Sequence, residues 1–186
     1  MPPVLERRKS KGENGTAFSP SDCNRKLIGA RSFSRGLLAS GKQISKEDDF
    51  ESARDYHSHG THKASIAAGS YVLGASHFGY ARGTARGVAP SAHVAMYKVL
   101  WSTSTVEIAT SDVLTGMDQT IDDGLDIMSL SLALPKTPYF EDVIAIASLS
   151  AIDKGIVVVC AAGNEGGSEH NIQRSTMDHH SRCWYY

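Results

Sequence analysis

The chain has 186 residues, of which 41% are hydrophobic, so it is long enough and apolar enough for one domain with a buried core. Its formal net charge of -1 argues against nucleic acid or an acidic membrane surface as a partner. No apolar run approaches the ~20 residues that a membrane span needs, so we expect no membrane partner. The segment Met1–Glu6 has no apolar core, which predicts that this chain carries no signal peptide.

Polar residues and turn formers dominate residues 1–55, with one short apolar segment, Lys26–Ala30, that is typical of a strand. Small residues prevail further on, and His59–Ala68 is predicted to be a short helix that ends at Gly69. The segment Gly79–Pro90 contains four glycines or prolines and is predicted to be a loop.

Strand and helix patterns then alternate, which is typical of a parallel sheet connected by crossover helices. The apolar run Ile156–Cys160 fits a strand that is buried on both faces. We therefore predict an α/β fold with a doubly wound parallel sheet and right-handed crossovers. In chain order the predicted elements are a strand at Ala92–Leu100, a helix with Val113, Leu114, Met117 and Ile121 on one face and a stop at Gly124, a strand at Asp126–Leu132, a helix at Glu141–Lys154, and the strand at Ile156–Cys160.

The first candidate site is the segment His59-Gly60-Thr61-His62 at the start of the first predicted helix. A histidine held at a helix start can accept and return a proton near neutral pH. The adjacent glycine allows another chain segment to approach closely. These four residues alone fit equally well a helix start with two incidental histidines.

The second candidate is Asn164, on a glycine-flanked turn directly after the predicted strand Ile156–Cys160. The carboxyl end of a parallel strand is a common ligand position, and a side-chain amide there can donate to a developing oxyanion. The alternative is a turn asparagine with a left-handed backbone, which requires no function.

Several ordered segments together resemble plant subtilisin-like serine proteases. The resemblance covers residues 1 to about 167 nearly without gaps, in the order and spacing of that family. Beyond the two candidate sites it rests on Cys23–Arg31, Gly83–Pro90, Met96–Val99, Ser111–Gln119 and Ser129–Leu132.

The resemblance implies peptide-bond hydrolysis by a Ser-His-Asp triad, with peptides or proteins as substrates. The family's catalytic histidine falls on His59, and its oxyanion asparagine falls on Asn164. The strand edge that pairs with substrate backbone falls on Ser131, Leu132 and Ala133, where a bound peptide would add a strand. Family members are mostly secreted, whereas the segment Met1–Glu6 predicts no signal peptide, so these two observations assign no single location to this chain.

The aspartate and serine motifs of the family have no match in this chain. No Asp-Thr-Gly or Asp-Ser-Gly occurs, and neither does Gly-Thr-Ser-Met-Ala. We therefore expect the chain alone to be inactive, because a histidine without a serine to deprotonate has no covalent chemistry to assist. The alternative function is a non-catalytic fragment that binds peptides or an intact subtilase.

The chain also departs from the family locally. His57 stands before the catalytic histidine position where the family has a small or acidic residue. Lys63 replaces a small or β-branched residue, and Ala133-Leu134 replaces a glycine pair beside the substrate edge.

The tail 168–186 has neither helix nor strand periodicity. An allowed choice of codons for residues 173–186, shifted by one base, translates as Asn-Gly-Ala-Pro-Trp-Ile-Thr-Thr-Val-Gly-Ala-Gly-Thr, which is similar to the family segment expected there. We therefore predict a frameshift between Gly167 and Gln173. The expected organisation is a polar amino-terminal part at 1–55, a partial catalytic core at 56–167 and an aberrant tail at 168–186.

Two groups of potential metal ligands form a weaker alternative. The first group offers its ligands within eight residues, but it coincides with the segment that resembles the protease histidine motif. The second group lies in the tail, where the predicted frameshift accounts for its composition. We therefore predict no metal and no cofactor. The members are Asp55, His57, His59 and His62 in the first group, and His179, His180 and Cys183 in the second.

Overall fold

The computed structural model describes residues 1–132, 134 and 137–161. They form two compact units. The first unit comprises Met1–Glu6, Ser10–Arg31 and Lys46–Lys98, and the second comprises Arg7–Lys9, Ser32–Ser45 and the described residues from Val99 onward. The elements in chain order are β1 (Leu27–Ser32), α1 (Arg35–Ala39), α2 (His59–Ala68), β2 (Val72–His77), β3 (Tyr80–Ala85), β4 (Val94–Lys98), α3 (Val106–Asp122), β5 (Ile127–Leu130), α4 (Val143–Asp153) and β6 (Val157–Cys160).

The second unit contains two parallel strands that a helix connects. β5 pairs with β6 in parallel, from Ile127 opposite Val157 to Leu130 opposite Cys160, and α4 connects them. Asp142 caps α4 with its carboxylate, which accepts from the amide of Ile144 at 2.9 Å. The predicted α/β fold with a parallel sheet is therefore confirmed.

The core of the second unit is apolar and draws on α3, α4, β5 and β6. The predicted face of α3 is confirmed, because Val113 and Met117 are buried and Leu114 and Ile121 pack against the same cluster. Gly124 follows α3 with φ of 70°, as expected of a helix stop. The other buried members of the cluster are Met128, Ile144, Ala147, Ala151, Ile156 and Val158.

The prediction of a strand buried on both faces is wrong for β6. Val158 is 1% exposed, but Val157 on the opposite face is 43% exposed. The side chains of a strand alternate between faces, and in the described part of the chain only one face of β6 is covered by this cluster.

In the first unit, β1 pairs with β4, and β2 pairs with β3 in an antiparallel hairpin. The prediction of a loop over Gly79–Pro90 is therefore wrong for the six residues of β3. The hairpin turn is Phe78-Gly79, with φ of 50° and 85°, so both central residues have the positive φ of a tight hairpin turn. The sequence concealed it because Phe stands where Asn or Asp usually marks such a turn.

The first unit has few buried apolar side chains among its described residues. Among its described residues, the buried hydrophobic side chains are Ala30 and Ala68, whereas Asp49 and Ser52 are also buried. Large apolar side chains of the hairpin lie in solvent instead, including Leu73 at 83% and Phe78 at 90% exposure. In the described part of the chain, the first unit thus buries fewer apolar side chains than the second does. No helix in the described part of the chain is long and apolar enough to cross a bilayer.

Candidate active site

His59 is the first residue of α2, as the sequence predicts, and its side chain is exposed. Its ring makes no hydrogen bond to any residue among 1–132, 134 and 137–161. An exposed imidazole at a helix start can exchange protons with a bound substrate group. His59 lies in the first unit.

The carboxylate of Asp55 clamps the amino-terminal end of α2. One oxygen, Oδ1, accepts from the amide of Ser58 at 2.8 Å. The other, Oδ2, accepts from the amide of Thr61 at 2.7 Å and from its hydroxyl at 2.8 Å. Two of these hydrogen bonds satisfy amides at the helix start that have no acceptor within the helix, and the third satisfies the Thr61 hydroxyl.

The pKa of Asp55 is lowered from its ordinary value of 3.8. Burial acts to raise this pKa, but the hydrogen bonds from Thr61 and Ser58 and the positive charge of Lys98 outweigh it. The carboxyl group is therefore ionised at neutral pH, and its charge lies at the end of α2 where the helix dipole favours an anion.

Ser58, the N-cap residue of α2, does not perform the usual capping. It has φ of 67° and ψ of -2°, which is a left-handed conformation, and its side chain makes no capping hydrogen bond. Left-handed geometry is unfavourable for a residue with a Cβ. Asp55, three residues earlier, therefore supplies the acceptor that an N-cap side chain normally supplies.

Lys98, at the end of β4, anchors the segment that leads to Asp55. Its ammonium group donates to Asp49 Oδ1 at 2.5 Å, to the carbonyl of Phe50 at 3.0 Å and to the carbonyl of Arg54 at 3.1 Å. The side chains of Lys98 and Asp49 are 14% and 2% exposed, so this ion pair is buried. The sheet strand β4 thus fixes the backbone immediately before Asp55.

The segment Gly87–Ala89 holds the other end of α2. Amides of this segment donate to the carbonyls of Gly69, Ile66 and Ala67, each at 2.9 Å. Carbonyls at a helix end have no donor within the helix, so these bonds satisfy them. α2 is therefore held by polar contacts at both ends.

Replacing Gly87 by alanine is expected to release this end of α2. A Cβ at Gly87 would clash with the amide nitrogen of Gly69, and it would lie 2.7 Å from both Ala68 N and Ser65 O. Because these are backbone atoms, we expect a loss of about 3 kcal/mol in the free energy of unfolding, the upper end for overpacking. Urea titration measures it.

Gly83→Ala is the matched control, because a Cβ at Gly83 has no atom within 4 Å. We expect it to change the free energy of unfolding by no more than about 0.5 kcal/mol. Equal effects of the two substitutions would contradict the close approach of Gly87 to α2.

The predicted substrate edge lies in the second unit, at the carboxyl ends of β5 and β6. Ser131 follows β5 and is exposed, whereas Leu132 is half-buried and packs against the core. Ala161 follows β6, and its amide donates to the carbonyl of Leu130 at 3.0 Å. The chain therefore leaves both strands at the same edge. Ala133 and Asn164, which the sequence predicts to belong to this edge, lie outside the described residues.

The first of the two possible metal groups does not form a ligand set. Both carboxylate oxygens of Asp55 accept hydrogen bonds from Ser58 and Thr61. Within the described ranges, no three His, Cys, Asp or Glu side chains come together as metal ligands. The second group, His179, His180 and Cys183, lies outside the described residues.

Sequence reasoning missed the roles of Asp55 and Lys98. From sequence, Asp55 stands only as a possible metal ligand, and Lys98 only as part of a matching segment. One local signal was present for Asp55, because an aspartate often accepts from backbone amides a few residues further on. The contact of Lys98 with residues 49–54 joins positions 44 to 49 residues apart, and no local pattern predicts it.

Comparison with known proteins agrees with the resemblance that the sequence motifs indicate. The sequence profile of the subtilase family (Peptidase_S8) matches residues 14–186. The chain is 48% identical to Subtilisin-like protease SBT3 of Solanum lycopersicum over 166 aligned residues. The aligned region is 89% of this chain and 21% of that protein. The chain is 45% identical over 170 residues to Subtilisin-like protease SBT1.7 of Arabidopsis thaliana, with coverage of 91% and 22%. The chain thus spans about a fifth of the length of these relatives.

A solved structure, the MycP3 protease from the type VII (ESX-3) secretion system, is similar at a TM-score of 0.46 and 22% identity, over 63% of this chain and 34% of that one. The family match includes the tail 168–186, and the predicted frameshift there stays a prediction.

Proposed function

Because the chain belongs to the subtilase family, we propose that it forms the central part of the catalytic domain of a serine endopeptidase. The observation that carries this proposal is the exposed imidazole of His59 at the start of α2, within the family match. The substrates of such an enzyme are peptides or proteins. The relatives are several times longer than this chain, so the activity proposed is that of a longer protein.

In the proposed reaction, His59 acts as the general base. Its imidazole accepts the proton of a serine hydroxyl while the serine oxygen attacks the carbonyl carbon of the scissile peptide bond. The imidazolium then gives this proton to the leaving amine, and water releases the acyl group by the reverse sequence. The serine comes from a Gly-Thr-Ser-Met-Ala motif that the 186 residues do not contain.

Asn164 and the edge after β5 are assigned two further roles in the proposed reaction. The amide of Asn164 would donate to the oxyanion of the tetrahedral intermediate, where a donor lowers the barrier more than it stabilises the bound substrate. Ser131, Leu132 and Ala133 would pair with the substrate backbone as an added strand. The exposure of Ser131 and the shared edge of β5 and β6 support this assignment.

The 186-residue chain on its own is expected to be inactive. The test is hydrolysis of a quenched fluorescent peptide library by the purified chain, together with sequencing of the full transcript. If the purified chain hydrolysed peptides and His59→Ala abolished that turnover, the expectation would be contradicted. A transcript that encodes the aspartate and serine motifs in frame would support the proposed enzyme, and one with stop codons on both sides would contradict it.

The same chain tests the alternative function of peptide binding. Fluorescence anisotropy of labelled library peptides measures binding without turnover. Saturable binding that is lost when Ser131 is replaced by proline, which removes a backbone donor at the edge, would favour the non-catalytic alternative. Ser131→Ala is the matched control, because it changes the side chain and keeps the backbone amide. Binding should survive this second substitution if the peptide pairs with the backbone.

A further inference from the structure

α2 is held at its ends and hardly at all by its sides. Ala68 is its one buried residue in the described part of the chain, and Ile66 on its surface is 52% exposed. A helix of ten residues with so little buried apolar surface is marginal in water. The orientation of His59 within the first unit therefore depends on the polar contacts at the first turn.

We propose that Asp55 is a positioning residue for His59, because its carboxylate fixes the first turn of α2 from outside the helix. This inference rests on the proposed function, since the direction of the imidazole matters for chemistry only if His59 is the general base. A base must be held close to its productive geometry by neighbouring contacts, because small displacements of a reacting group cost large factors in rate.

Asp55 acts on the backbone and not on the imidazole. Its two oxygens accept from the amides of Ser58 and Thr61 and from the Thr61 hydroxyl, and these residues lie on either side of His59. It therefore differs in role from a triad aspartate, which accepts from the histidine ring itself. Ser58 cannot substitute for it, because its side chain makes no capping hydrogen bond.

Lys98 extends this arrangement back to the sheet. Its ammonium group binds the carbonyl of Arg54, the residue before Asp55, and forms the buried ion pair with Asp49. The strand β4 therefore sets the position of residue 54, and Asp55 transmits that position to the turn that carries His59. The positive charge of Lys98 also favours the ionised form of Asp55.

The test uses Asp55→Asn in the 186-residue chain and two nuclear magnetic resonance readouts, amide exchange and backbone order parameters. An asparagine offers one acceptor oxygen and no charge. The single oxygen can serve only one of the two sites, so we expect exchange protection at the Ser58 or the Thr61 amide to fall roughly 5- to 30-fold, as for loss of a helix cap. The order parameter of the His59 amide should fall from about 0.85 toward 0.6.

Three controls separate positioning from general stabilisation. Amides shared by β1 and β4 should keep their protection in Asp55→Asn, because a merely structural role would lower protection throughout the first unit. Thr61→Ser retains the hydroxyl and should match the unsubstituted chain. Thr61→Val removes it at similar volume and should show a smaller loss than Asp55→Asn.

The unsubstituted chain provides a test that does not depend on any variant folding. The pKa of Asp55 is lowered in the folded chain, so its contribution is complete above the ordinary value of 3.8 and is lost as the pH falls through the lower folded pKa. Protection of the Thr61 amide, corrected for intrinsic exchange, should therefore fall in that acid range before the β1 and β4 amides lose theirs.

Local protection that does not change in Asp55→Asn, or a loss spread evenly over the first unit, would overturn the inference. So would a Thr61 amide whose protection follows the β1 and β4 amides at every pH. None of these readouts requires hydrolysis. A failure of the proposed function would appear elsewhere, as an enzyme whose turnover does not depend on His59.

Discussion

Replacement of His59 by alanine, in the protein translated from the full transcript, is expected to lower kcat by a factor on the order of 10⁶, the loss that subtilisin shows for its own catalytic histidine. The reason is that a serine hydroxyl is a poor nucleophile unless a neighbouring base removes its proton during attack. KM should change little, because a general base, the role proposed for this imidazole, contributes mainly in the transition state. Steady-state hydrolysis of a peptide substrate measures both constants.

His62→Ala is the matched control for this experiment. His62 lies three residues further along the same helix, is also exposed, and belongs to the same motif. It has no proposed contact with reacting atoms, so kcat should stay within severalfold of the unsubstituted enzyme. Equal losses in the two variants would assign the effect to α2 as a whole and would remove the role of general base from His59.

The second large effect is expected from Lys98→Met, which should lower the free energy of unfolding by about 3–5 kcal/mol. The substitution keeps most of the apolar stem but removes the cation that pairs with the carboxylate of Asp49, whose side chain is 2% exposed. A buried charge that loses its partner retains its desolvation cost without the attraction that offset it. Urea titration monitored by circular dichroism measures the change.

Arg7→Met is the control for the loss of an ion pair. Arg7 binds Asp126 at 2.5 Å, but the two side chains are 59% and 55% exposed. Arg8 also binds Asp126, so the carboxylate keeps a cation when Arg7 is replaced. We expect a loss below about 1 kcal/mol, because solvent screens such pairs. A Lys98→Met effect as small as this would show that water reaches the Lys98–Asp49 pair.

Helices with a clear hydrophobic period or a glycine at their end were predicted correctly from sequence. α2 begins at His59 and ends at Ala68 as predicted, and Gly124 has the positive φ expected of the residue that ends α3. These features are local, because a glycine or a helical stripe constrains its own neighbourhood. The hairpin of β2 and β3 escaped prediction, because its strands carry no buried face and hence no alternation.

In the candidate site, too, local features were predicted from sequence and contacts between distant residues were not. The position of His59 follows from its motif, whereas the clamp by Asp55 depends on how the segment 49–54 lies against Lys98. Contacts between residues far apart in sequence arise from tertiary packing, which propensities do not encode. The roles of Asn164 and of the edge at Ser131, Leu132 and Ala133 stay predictions.

The small apolar contact of α2 also determines how this helix responds to temperature and denaturant. The heat capacity of unfolding and the denaturant slope both scale with the surface that unfolding exposes. Local opening of α2 exposes little, so its free energy should stay nearly flat in urea while that of the second unit falls steeply. The turn that carries His59 is therefore expected to open with a weaker urea dependence than the global unfolding of the chain.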